Sequence, residues 1–138
     1  MDNSKAKILI TTNGSIRDED FYWRLGVRCG TRLSIVFDID GTTEEMHQKY
    51  RRGASLEKVL KNMNTLSQTP ATALSQSIIF KHNQDYKKDI SKLAKDNGSE
   101  NHEFCNSNRF YFGGTKFGFI NEQGVYEELV KANEQDSM

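Results

Sequence analysis

Strand-like and helix-like stretches alternate along most of this chain, and that alternation constrains its fold more than any other feature. Lys7 to Thr11 (KILIT) is short and aliphatic and runs into Thr12-Asn13-Gly14, the pattern of a buried strand followed by a turn. Glu19 to Leu25 has helical spacing, with Gly26 placed to end it. Leu33 to Phe37 (LSIVF) is β-branched and continuous, which predicts a strand covered on both faces. Thr42 and Glu45 have the spacing of a capping box, opening a helix through His47 to Arg51. Ser55 is placed to cap a longer helix with an apolar face of Leu56, Val59, Leu60, Met63 and Leu66. Ser77 to Phe80 predicts a third strand. Ile90, Leu93 and Ala94 mark a helix that stops at Asn97-Gly98, and His102 to Cys105 predicts a fourth strand. Such a series belongs to the α/β class, with a parallel sheet and right-handed crossovers. The tail differs. Arg109 to Phe112 and Lys116 to Ile120 flank Gly113-Gly114, which predicts a C-terminal β-hairpin, and Gly124 to Ala132 suits a short final helix. The expectation is one domain, with β/α units over 7–106 and the hairpin and helix over 107–138.

Composition narrows the function classes. The chain has 138 residues, with 19 Lys plus Arg against 19 Asp plus Glu, so its formal net charge is zero. A general polyanion binder carries a basic excess, so nucleic acid is not an expected partner. No apolar run approaches the roughly 18 residues of a membrane span. The start, MDNSKAK, has no apolar signal core, so a membrane is not expected either and the cytoplasm is the expected compartment. Cys29 and Cys105 are the two cysteines. They cannot supply four thiolates to zinc or three to an iron–sulfur cluster, and His47, His82 and His102 show no ligand spacing, so no metal site is expected within this chain.

In parallel α/β sheets ligands lie at the carboxyl ends of the strands. Here those ends lead to Thr12, Asn13 and Gly14; to Asp38, Asp40 and Gly41; to Lys81, His82 and Asn83; and to Asn106, Asn108 and Arg109. Turn chemistry accounts for the Asn, Asp and Gly residues taken one by one, but not for Lys81 and His82. Consecutive Phe21, Tyr22 and Trp23 place at most two aromatics on one helix face, which suits packing. Lys49, Arg51 and Arg52 form a basic cluster that suits either a solvated helix face or a phosphate or carboxylate partner. Cys105 reads as a small buried hydrophobe rather than a nucleophile.

Phe37-Asp38-Ile39-Asp40-Gly41-Thr42 resembles the nucleophile motif of haloacid-dehalogenase-like phosphatases. That resemblance implies Asp38 as nucleophile and Asp40 as proton-transfer group, with Mg²⁺ balancing their charge and Lys81 as a charge-stabilising residue. The paired acidic magnesium motif on a later strand is missing, and the Thr-bearing strand Ile8 to Thr12 precedes the aspartate instead of following it.

A longer stretch resembles the radical S-adenosylmethionine (SAM) superfamily, in its SPASM/twitch-like branch. Strand–Thr12-Asn13-Gly14, then Arg17-Asp18 and an aromatic helix ending Leu25-Gly26, is similar to the third unit of that barrel. Ile39-Asp40-Gly41-Thr42 through Glu45, His47, Tyr50, Arg51, Arg52 and Gly53 is similar to the fourth. The helix carrying Asn62, and Ile78 to Asp85 (IIFKHNQD), continue the likeness, which spans Ile8 to Gly98 and extends with less similarity to Tyr126. It implies a partial (β/α) barrel of about four parallel strands with flanking helices. It also implies SAM and a 4Fe-4S cluster as cofactors, and Thr12, Asn13, Asp38, Arg52 and Asn83 as SAM-side residues, Asp40 and Gly41 shaping the turn. The family's CxxxCxxC loop and glycine-rich second strand end are missing, so the chain starts near the third strand. The serine-like position of strand four is Asp38, a carboxylate that would repel that of SAM unless protonated or bridged.

Three functions follow from the sequence. The first is an incomplete radical SAM core, truncated or split and inactive alone. A partner chain would bring the cysteines, or a homodimer would form through the exposed edge of the first strand. The second is the Mg²⁺-dependent phosphatase with catalytic Asp38 and Asp40. The third is a non-catalytic binding module on the same scaffold.

Overall fold

The computed structural model describes residues 6–106, 116–120, 126–130 and 132. Its elements run β1 (Ile8–Thr12), α1 (Glu19–Cys29), β2 (Leu33–Asp38), α2 (Glu44–Gln48), α3 (Leu56–Ser67), β3 (Thr72–Ile79), α4 (Lys87–Asp96), β4 (His102–Asn106), β5 (Lys116–Ile120) and β6 (Tyr126–Val130). The first four strands form one sheet in the order β1-β2-β3-β4, and every neighbouring pair is parallel. The register aligns Thr12 with Phe37, Asp38 with Gln76 and Ile79 with Asn106, so the carboxyl ends share one rim.

Strand order and helix placement decide the architecture. In a doubly wound sheet the order reverses and helices cover both faces. Here the order never reverses, and Tyr22 of α1, Val59, Met63 and Leu66 of α3, and Ile90 and Ala94 of α4 all join one cluster with Leu33, Ile35 and Phe37 of β2. Helices on one side of consecutive parallel strands are the winding of a barrel. Among the described residues the sheet does not close, so the fold is a partial (β/α) barrel of four strands.

The other face is the inner face of such a barrel. There Ser34, Val36, Leu74 and Gln76 are half-buried and Leu9 and Thr11 exposed, while Ile78 packs with Phe80 and Leu129. The expectation of a second strand covered on both faces is therefore corrected. Only alternate residues of β2 up to Phe37 are buried, because among the described residues the helical layer covers one side alone. Leu9 of β1, Ile16 of the loop after it, and Trp23 and Val27 of α1 are exposed large hydrophobics. Of the three consecutive aromatics only Tyr22 enters the core, 5.4 Å from the Phe37 ring.

Several boundaries move, each for a local reason. Gly26 does not stop α1, which continues to Cys29 and ends at Gly30 with φ +60°. Gly26 serves a close approach instead, since a Cβ there would lie 2.1 Å from Thr69 Oγ1. Gly26→Ala will cost about 1–3 kcal/mol by overpacking, read as a lower urea midpoint with an unchanged m-value. The N-cap of α2 is Thr43, accepting from the Met46 amide, rather than Thr42. Glu44, the first residue of α2, accepts from the Leu56 and Glu57 amides at 2.7 and 3.0 Å, adding to the Ser55 cap of α3. β3 begins at Thr72, five residues before the apolar Ser77–Phe80 run, because Thr72 to Gln76 pair with β2.

The tail carries a larger correction. Tyr126–Val130 is not helical but a strand, β6, paired antiparallel with β5. Tyr-Glu-Glu-Leu-Val has adequate helix propensity in isolation, but pairing with Lys116–Ile120 and burial of Leu129 against Phe80 override that weak preference. β5 and β6 form a separate two-stranded sheet. The strand expected over Arg109 to Phe112, the Gly113-Gly114 turn, and Asn108 lie outside the described residues. Among the described residues no helix is long and apolar enough to cross a membrane.

Candidate functional site at the carboxyl rim

β2 delivers Asp38 to the inner face at its last position, and Asp40 follows within the turn. Asp40 is fully buried and bonded on every side. Its amide donates to His47 Nδ1 at 3.0 Å and its carbonyl accepts from Asn83 Nδ2 at 2.9 Å. One carboxylate oxygen accepts from the Ile78 amide and the other from Arg51 Nε, both at 2.8 Å. Gly41 permits this turn, since a Cβ there would lie 2.6 Å from the His47 amide nitrogen.

Arg51 ties the site together. It returns from the segment after α2, lies over the Tyr50 ring at 4.8 Å, and places Nη2 3.5 Å from Asp38 Oδ1. The same Asp38 oxygen accepts from Gln76 Nε2 at 2.8 Å. Burial pushes both aspartates up, Asp40 to about 6, with Arg51 the largest opposing influence on each. Asp38 adds to the rise at Asp40, since two carboxylates this close resist joint ionisation.

Neighbouring histidines are held neutral. His47 accepts the Asp40 amide on Nδ1, so Nε2 carries its proton, and burial followed by the Arg51 charge lowers its pKa to about 4. His82 stacks on Phe80 at 5.6 Å, and burial lowers it to about 4, with Lys49 pushing the same way and the Met46 backbone opposing. His102 opens β4, with Nδ1 2.6 Å from Ser75 Oγ and Nε2 2.7 Å from Ser77 Oγ on the neighbouring β3. Ser77 donates its proton to the Ile39 carbonyl, so His102 Nε2–H donates to Ser77 and Nδ1 accepts from Ser75. Burial, with help from Lys95, lowers His102 to about 4.

The five residues expected to face SAM meet different fates. Asn13 and Arg52 line one cleft of about 470 Å³ with Tyr50, Arg51 and Ala54, and Asp38 reaches its edge through Arg51. Thr12 serves the turn, its Oγ1 accepting from the Gly14 amide at 3.0 Å. Asn13 Oδ1 likewise accepts from the Ser15 amide. Asn83 is buried and its amide is spent on Phe80, Ile78 and Asp40 backbone groups. Asn62 pins the β1–α1 loop, donating to the Gly14 and Arg17 carbonyls at 2.7 and 2.8 Å. Lys81 is exposed, and its amide donates to Val130 of β6.

Cys29 ends α1 and Cys105 lies on β4, so this chain does not fit a 4Fe-4S cluster. Burial and then the Asp40, Glu103 and Asp38 charges push the Cys105 thiol up, which suits its reading as a small hydrophobe. Among the described residues no three His, Cys, Asp or Glu side chains are arranged to hold a metal ion. For Mg²⁺ on Asp38 and Asp40 the fit is poor, because the Arg51 guanidinium already bridges the two carboxylates. The cleft itself is lined by polar groups, Asn13 and the guanidinium-bearing Arg51 and Arg52 among them. Compared with known proteins, the chain matches no family model and no curated protein.

Proposed function

We propose that this chain is the central part of a radical SAM-type barrel, working in the cytoplasm once further β/α units and the cluster's cysteines come from elsewhere. The observation that carries this reading is the unclosed, consecutively ordered parallel sheet with its polar groups on the carboxyl rim. The edge position of β1, with exposed Leu9 on it, Ile16 in the next loop and Trp23 and Val27 on α1, supports a partner there, since an unpaired strand edge invites pairing.

Asp38 supports the reading as well. A bare carboxylate would repel that of SAM, but Arg51 and Gln76 bridge this one and its pKa is raised. In this assignment Arg51 and Arg52 hold the ligand carboxylate, Asn13 supplies an amide, and Asp38 keeps Arg51 aimed. SAM, reduced through a cluster, supplies radical chemistry; this chain's residues bind and orient it.

A thermal-unfolding series on the whole chain tests this. Ligand binding only to the native state at 100 times Kd stabilises by about 2.7 kcal/mol, a shift of several degrees for a domain of this size. The expected result is a shift with SAM and none with Mg²⁺ plus beryllium fluoride. A shift with the phosphate mimic alone overturns the reading in favour of a phosphatase using Asp38 and Asp40. A cooperative melt that neither ligand moves leaves a binding module on a barrel scaffold.

A further inference from the structure

The far edge of the sheet differs from the apolar β1 edge. β4 is the last strand of the four, and no described strand pairs with its outer side. Alongside it α4 presents Lys87, Lys88, Lys92 and Lys95 to a groove of about 540 Å³, with Phe104 of β4 as its apolar wall. Lys92 is paired with Asp96 at 2.7 Å. Lys87, Lys88 and Lys95 have no carboxylate within ion-pair distance among the described residues, and Lys87 Nζ lies 5.8 Å from the centre of the Phe104 ring. A chain with no net charge therefore concentrates unneutralised positive charge beside a strand edge that no described strand covers.

We propose that the α4–β4 edge is a docking site for an extended acidic peptide segment of a partner protein, added as a fifth strand beside β4. Charge complementarity selects the acidic character, and the open backbone edge selects an extended peptide, whose amides and carbonyls repeat at the strand spacing of about 3.3 Å. A nucleic acid would meet the lysines but offers no such ladder. The ten-residue α4 is also only about 15 Å long, too short to track many phosphates.

The sheet's two-residue period refines the partner. Positions facing α4 meet Phe104 and the lysines, which suits one apolar residue flanked by carboxylates. Positions between them face the side of Glu103 and Cys105, where a carboxylate would meet a like charge. The partner segment alternates acidic or apolar residues with uncharged ones.

The site goes beyond the SAM reading and is tested apart from it. The probe is a fluorescein-labelled nonapeptide with glutamates and a central leucine at alternate positions and threonine between, titrated by anisotropy with the full chain. Saturable binding is expected, weakening at least tenfold in Lys87→Gln/Lys95→Gln and in a peptide N-methylated at alternate backbone amides. Both lysines are outside the core, and unchanged melting of the double variant confirms its fold. No saturable binding, equal affinity for the glutamine-substituted peptide, or equal affinity for a single-stranded oligonucleotide of the same charge overturns the proposal. Absence of a SAM effect on melting leaves this result standing.

Discussion

Lowering the pH from 6.5 towards 4 will remove much of this protein's stability. His47 and His102 are buried and neutral, each with a folded pKa lowered to about 4. Groups depressed in this way stabilise the fold fully above their unfolded pKa of about 6.5 and lose that contribution as the pH falls to about 4. At about 1.4 kcal/mol per pKa unit each is worth about 3 kcal/mol. The half-buried His82 shifts the same way and adds less. Asp40 works in the opposite sense. Its folded pKa is raised to about 6, so its contribution is present below about 3.9 and lost as the pH rises through 6. Asp38 shares that direction. The histidines outweigh the aspartates, leaving a net acid loss on the order of 3 kcal/mol, a large share of a typical 5–15 kcal/mol. Urea midpoints at pH 7 and 4.5 measure it. His102→Gln will flatten the profile, and stability that is level or rising on acidification would contradict the neutral assignments.

Arg51→Met will cost about 3–5 kcal/mol, the scale for removing one partner of a buried ion pair. At this chain length that lowers the melting midpoint by roughly 10–15 °C. The size follows from what is left behind: Asp40 with no exposed side-chain surface and Asp38 beside it, both without their counter-charge. Because Arg51 is the main influence holding the Asp40 pKa down, its removal raises that pKa further, so the variant's deficit shrinks as the pH falls. Asp40→Asn in the Arg51→Met background will regain part of the loss. A surface-like penalty under 1 kcal/mol would show that the pair is solvated.

Much of the sheet could be read in the sequence, because its strands and helices carry local signals. LSIVF is β-branched, and Leu56 to Leu66 repeats at helical spacing behind a serine cap. Failures occur where a distant residue decides. Gly26 looks like a helix stop until Thr69 is seen against it, and Tyr126–Val130 looks helical until β5 pairs with it. The rim was partly legible: Asp38 and Asp40 stand out as charges at a strand end, whereas Arg51 and Arg52 were two members of a basic cluster. The role of Arg51 as a clamp between two carboxylates depends on the path after α2, which no local pattern specifies. Gln76 was invisible for the same reason, and His47 was noted without its bond to the Asp40 amide, since a glutamine in a strand and a histidine in a short helix have many uses. Asn83 shows the converse. Its place at a strand end suggests a ligand contact, while its burial commits it to the backbone.

The central claim is that the carboxyl rim of an incomplete barrel binds SAM, and backbone amide chemical shifts of the ¹⁵N-labelled chain during a SAM titration test it most directly. The account predicts saturable shifts at Asn13, Asp38, Arg51 and Arg52, with the α4 amides unmoved. Amides that stay in place at millimolar SAM, or shifts gathered along α4 and away from the rim, would contradict it.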